Sequence, residues 1–223
     1  WCRDNGKTVL WIMDSGCRQS KHPVSVDQRG GRLQTINEYK IRGEKHMETI
    51  IIYGSCYGTA KVYAEALAER LKSELLPYDK VKEPAGYERI IYVGGLYAGG
   101  VMGMAKTAKK ISVDQCKKFV VITVGLAEPA DEKNVQNIRK SALRQIPESL
   151  VDKTEFCHLR GGIDYEKLSL KHRMMMKLLY EQVKKQPVGE QDADTRAMIE
   201  TYGQKVSFVD TKCLDDIVKK LED

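Results

Sequence analysis

Apolar positions follow two rhythms through residues 47–223. Unbroken runs, Ile50-Ile51-Ile52-Tyr53, Ile90-Ile91-Tyr92-Val93 and Phe119 to Val124, alternate with stretches where apolar residues recur every three or four positions. The runs are β-branched and too short for helices, so they read as strands buried on both faces. After the first run, Ala60, Ala64, Leu67, Ala68 and Leu71 are separated by Lys61, Glu65, Glu69 and Arg70, the pattern of an amphipathic helix. Asp131 opens another helix, which carries Val135, Ile138, Ala142 and Ile146. Ser73–Tyr78 is a short second strand, placed at an edge because Pro77 cannot donate to a ladder. Glu155–Leu159 is a short last strand closed by Gly161-Gly162, and a helix over 211–221 carries Leu214, Ile217, Val218 and Leu221 back onto the sheet. Strands alternating with helices predict an α/β fold, a doubly wound five-stranded parallel sheet covered on both faces.

Residues 164–210 break the alternation and predict a helical insertion near the C-terminus. Its main helix, 168–185, carries Leu168, Met174, Met175, Met176, Leu178, Leu179 and Val183, with Lys167, Lys171, Arg173, Lys177, Lys184 and Lys185 between and around them. One reading packs Leu168, Met175, Leu178 and Leu179 on the sheet edge and leaves the charges in water. The other leaves Met174, Met176 and Tyr180 partly exposed, an adaptable surface for an anionic membrane or a redox partner.

Residues 1–46 show no sustained period, and Met47 stands directly before the first strand. The pattern therefore predicts a non-domain extension over 1–46, disordered or a remnant of upstream sequence, and one domain over 47–223. Charge agrees with that division. The chain's net charge of +6 is concentrated in 1–46, which holds +4 of it, so the body is nearly balanced and no nucleic-acid face is implied. The six cysteines include no CxxC pair and read as free thiols of a reducing compartment. No apolar run reaches the roughly 18 residues of a membrane span, and the expected location is cytoplasmic.

Candidate chemistry gathers where strands end. The loops 54–60, 94–103 and 125–131 are rich in glycine and alanine and lie at the carboxyl ends of three strands, the ligand-binding edge of an open α/β sheet. In the first, Ser55 and Thr59 supply hydroxyls and Gly58 permits close approach at the start of a helix, a turn that suits a phosphate. Gly100–Thr107 is a near miss to a nucleotide P-loop, with Ala105 where glycine is required. His158 beside Cys157 reads as structural. No residue is assigned a catalytic or metal-ligating role, so any chemistry belongs to a bound cofactor.

From Met47 onward the chain resembles the flavodoxin-like family. The loop Ser55, Cys56, Tyr57, Gly58, Thr59, Ala60 is similar to the one that wraps the phosphate of flavin mononucleotide (FMN). The segment reaching Gly94, Gly95, Leu96, Tyr97, Ala98, Gly99 and Gly100, and the segment reaching Gly125, Leu126 and Ala127, resemble the two loops that hold the flavin ring. Residues 159–165 and the methionine-rich helix resemble the branch that contains menaquinone-dependent protoporphyrinogen oxidase. The resemblance implies strand order 2-1-3-4-5, FMN as cofactor, and an electron carrier or flavin-dependent oxidoreductase. The implied partner is a redox protein or a quinone, with no nucleic acid and with 168–185 as a peripheral contact at the inner face of a membrane. The alternatives are a protoporphyrinogen oxidase-type enzyme delivering electrons to quinone, and a binding or signalling module without flavin.

Overall fold

Ile50, Ile51 and Ile52 are each no more than 2% exposed, so both faces of their strand are covered. Burying each contributes roughly 1.5–3 kcal/mol relative to exposure. The computed structural model describes residues 2–4, 7–9, 48–97 and 100–222. The chain divides into two units, Trp1–His46 and Met47–Asp223. In the first, strands Cys2–Asp4 and Lys7–Val9 pair antiparallel; the expectation for the rest of 1–46 lies outside the described residues.

In the second unit, β1 (Thr49–Gly54) leads to α1 (Thr59–Leu71), β2 (Glu74–Pro77), β3 (Arg89–Tyr97), β4 (Gly100–Val101) and α2 (Met104–Ala108). There follow β5 (Lys118–Gly125), α3 (Glu132–Leu143), α4 (Glu148–Val151) and β6 (Thr154–Arg160). The path continues through β7 (Gly162–Asp164), α5 (Leu170–Val183), α6 (Ala193–Thr201), β8 (Lys205–Ser207) and α7 (Leu214–Glu222). The main sheet runs β2-β1-β3-β5-β6, all parallel. Leaving the two-residue β4 out of the count, this is the expected 2-1-3-4-5 order, with Pro77 on the edge strand.

Alternation along the strands divides the core. Ile50, Ile52, Ile90, Tyr92, Phe119 and Val121 pack with Met104, Ala108, Ala142, Ile146 and Leu150 on one face. Ile51, Ile91, Val93, Val120 and Ile122 pack with Tyr63, Leu67, Leu214, Ile217 and Leu221 on the other. The sheet is thus sandwiched between α2, α3 and α4 on one side and α1 and α7 on the other.

Two elements differ from the pattern-based expectation. Strand β3 runs on through Gly94, Gly95, Leu96 and Tyr97, which the pattern assigns to a loop, and β4 folds back antiparallel on Leu96 and Tyr97. Glycine is what permits this. A Cβ at Gly94 would lie 2.2 Å from Val101 Cγ1, and one at Gly54 would lie 2.0 Å from the Met102 carbonyl oxygen. The residues therefore admit a returning segment at close range. The second difference is at the base of the insertion. There β7 and β8 pair antiparallel, Asp164 opposite Lys205, so α5 and α6 leave and return through a two-stranded clamp.

Candidate functional site

Register brings the strand ends together. Gly54 is level with Gly94, Gly94 with Thr123, and Gly125 with Arg160. Strands β1 and β3 are neighbours, yet their following helices lie on opposite faces, which leaves a crevice between their carboxyl ends. A cavity of about 620 Å³ opens there, within the usual range for small-molecule sites.

The first wall is the turn into α1. Gly58 sits at the helix start with φ 97°, left-handed backbone that favours glycine, and no side chain caps the helix. Ser55 Oγ instead accepts from the Gly58 amide at 3.0 Å. The first amides of α1, which have no partner within a helix, thus face outward at its positive end. Ser55, Cys56, Tyr57 and Thr59 line the cavity. Ala60 is fully buried in the core, so only its backbone can serve a ligand.

Gly95, Leu96, Tyr97 and Gly100 form a second wall, and Gly125 and Leu126 a third. Gly94 is buried in the sheet beside Val101, and Ala127 packs with Ala193 and Ala197 of α6, so neither lines this cavity. Ala98 and Gly99 are outside the described residues. Arg160 fixes the third wall: its Nε donates to the Leu126 carbonyl at 3.0 Å, its guanidinium pairs with Glu128 at 3.1 Å, and it lies over the Phe208 ring at 3.7 Å.

The insertion supplies the roof, through residues the sequence does not single out as a site. Leu168, His172, Met175, Met176 and Leu179 on or beside α5, and Asp194 and Met198 on α6, line the cavity, with Asn137, Ile138 and Ser141 of α3. His172 lies between two aromatic rings, its centroid 5.8 Å from Tyr57 and 5.0 Å from Tyr97, both edge-on. The Tyr57 hydroxyl is hydrogen-bonded to His172 Nδ1 and accepts from the Ser169 amide at 3.3 Å. So the aromatic residue of the phosphate-type loop holds the roof. Burial pushes the Tyr97 hydroxyl up to about 12, with the Tyr57 hydroxyl beside it adding to the shift, so it stays neutral. Desolvation likewise raises the Asp194 carboxyl, with Asp192 adding repulsion.

His158 is the structural residue that the sequence suggests. It shares a 2.7 Å hydrogen bond with Thr123 Oγ1 and stacks parallel to Phe156. Burial, with Arg139 nearby, lowers its pKa to about 4.

These features fit FMN. Two hydroxyl-bearing residues and an uncapped helix start suit a phosphate, and beside them an apolar slot edged by Leu96, Leu126 and Ile138 suits a flat ring.

A family model described as a flavodoxin domain matches residues 50–188. No curated protein matches the chain. Among solved structures, the chain is similar to a flavodoxin from the domain Archaea at 15% identity, covering 69% of this chain and 95% of that one, TM-score 0.34. A flavoprotein from Lactobacillus acidophilus NCFM, solved in complex with FMN, shares 13% identity over 52% of this chain and 93% of its own, TM-score 0.37. A mutant of flavodoxin from Pseudomonas aeruginosa shares 16% identity over 61% of this chain and 95% of its own, TM-score 0.34.

Proposed function

The chain belongs to the flavodoxin-domain family, and we propose that it is an FMN-dependent redox protein whose flavin reacts beneath the α5–α6 roof. FMN is the cofactor. When bound, it supplies the electron-transfer chemistry. The protein's own residues do the rest. Ser55, Thr59 and the first amides of α1 hold the phosphate, Gly95 to Tyr97 and Gly125 to Leu126 flank the ring, and Tyr57 with His172 keeps the roof over it.

The observation that carries this reading is the convergence, at one sheet edge, of the uncapped α1 start with the ends of β3 and β5. Replacing Gly58 by valine and Thr59 by aspartate tests it. The first change opposes the left-handed backbone and the second repels the phosphate. The double variant is expected to fold but to purify without FMN, read from its visible absorbance. Stoichiometric FMN in that variant would place the cofactor elsewhere. A colourless wild type that takes up no added FMN would favour the binding module without flavin.

A second reading is favoured by the composition of the roof. Met175, Met176, Leu179 and Met198 give the cavity an apolar ceiling. Such a ceiling suits an apolar quinone acceptor, the acceptor of a protoporphyrinogen oxidase-type enzyme, better than direct contact between the ring and a protein carrier. Reoxidation of the reduced protein by a soluble quinone, faster than by a protein carrier, supports this second reading. The reverse order supports an electron carrier.

A further inference from the structure

Helix α5 has two apolar faces, and the cavity accounts for only one. At about 100° per residue, His172, Met176, Leu179 and Val183 share one side. That side lines the cavity or turns toward α6, and it is pinned by His172 to Tyr57 and by Tyr180, which stacks on Tyr202 at 3.9 Å. Leu170, Met174 and Leu178, spaced four apart, form a ridge about 180° away. They are 81%, 67% and 68% exposed. Among the described residues, every large apolar side chain classed as exposed falls between positions 170 and 188, apart from Val62. A ridge so concentrated serves no packing purpose within the domain.

Its flanks are basic. Arg173 is occupied with the Tyr165 and Glu166 carbonyls, Lys184 with Glu181, and Lys167 with Asp164. Lys171, Lys177 and Lys185 make no ion pair among the described residues; on a helical projection Lys171 and Lys177 fall on or beside the ridge, and Lys185 stands exposed in the turn just past the helix end. A second copy of the chain would bring the same positive charges to the same face, so charge opposes self-pairing. Apolar side chains flanked by uncommitted lysines complement an anionic lipid surface, where the apolar residues enter the acyl boundary and the lysines meet headgroups.

We infer that α5 docks the protein on an anionic bilayer through Leu170, Met174 and Leu178, with Lys171, Lys177 and Lys185 at the headgroups. The inference stands whatever the cavity holds. If it holds flavin, the roof of the flavin site is also the bilayer contact, and a lipid-soluble reactant reaches the site from the side where it is dissolved.

Flotation of the full chain with vesicles tests this, using phosphatidylcholine alone or with about one third phosphatidylglycerol, at low and high salt. Wild type is expected to float with the anionic vesicles at low salt and to be released by high salt. Leu170→Gln/Met174→Gln/Leu178→Gln and Lys171→Gln/Lys177→Gln/Lys185→Gln are each expected to lower partitioning by about tenfold or more. Both triple variants change only exposed positions, so Tm and flavin content should be unchanged, which separates this test from that of the cofactor. Three outcomes overturn the inference: no flotation of wild type; equal flotation of wild type and both variants, which would assign binding to charges elsewhere; or ridge-dependent self-association of wild type in sedimentation velocity without flotation.

Discussion

His158 ties stability to pH through a single ring. Its folded pKa, about 4, lies below the 6.5 of an unperturbed histidine. The unfolded chain therefore takes up the proton first as pH falls. The contribution of the neutral, buried ring is complete above about 6.5 and is lost as pH drops toward 4. After allowance for partial solvent screening it is of order 1–2 kcal/mol. Urea unfolding at pH 7 and pH 4.5 should show a smaller acid loss in His158→Gln than in wild type, by about that amount; equal losses would contradict the assignment. At this scale the sequence is unevenly legible. Ser55, Gly58 and Thr59 are readable because a strand, a turn and a helix follow one another within a dozen positions. His172 is not, because nothing in its own helix marks it. Its meaning comes from Tyr57, 115 positions away.

The insertion is the element that distinguishes this molecule from a bare five-stranded sheet. Its helices could be read from periodicity, but two features could not. The three-residue strands β7 and β8 are too short to show a period of two. The helix α5 mixes apolar residues around its whole circumference, so periodicity alone cannot say which face is covered. The packing follows neither reading as a whole. Leu168 is buried, but Met175 and Leu179 line the cavity while staying 37% and 44% exposed, and Leu178 is more exposed still; Met174 is exposed, whereas Met176 and Tyr180 are half-buried, Met176 against the cavity. Because Asp164 and Lys205 stand opposite each other in an antiparallel pair, an Asn-Gly turn can replace 165–204 and close a hairpin. The shortened protein is expected to fold and to keep the phosphate seat, while its flavin becomes more open to solvent. An iodide quencher should then reach flavin fluorescence more readily than in wild type. Unaltered quenching would mean that α5 and α6 do not cover the ring.

On the scale of the whole molecule, both core clusters and all three walls of the cavity lie within Met47–Asp223. The parallel sheet was legible because each buried strand is a continuous apolar run. The extent of β3 was not, because Gly94 and Gly95 carry a loop's composition into a strand. The chain cut to Met47–Asp223 is expected to retain the Tm and flavin content of the full chain, checked by calorimetry and absorbance; a large fall in either would give residues 1–46 a part in the fold. In the proposed site, the cofactor is anchored by its phosphate at the start of α1. Fluorescence titration of the apoprotein with FMN and with riboflavin, which lacks that phosphate, tests it most directly. One FMN is expected to bind per chain, and riboflavin to bind more weakly by at least about tenfold, since charge-assisted hydrogen bonds contribute roughly 1.5–3 kcal/mol each. Equal affinity for the two, or no binding of FMN, would contradict it.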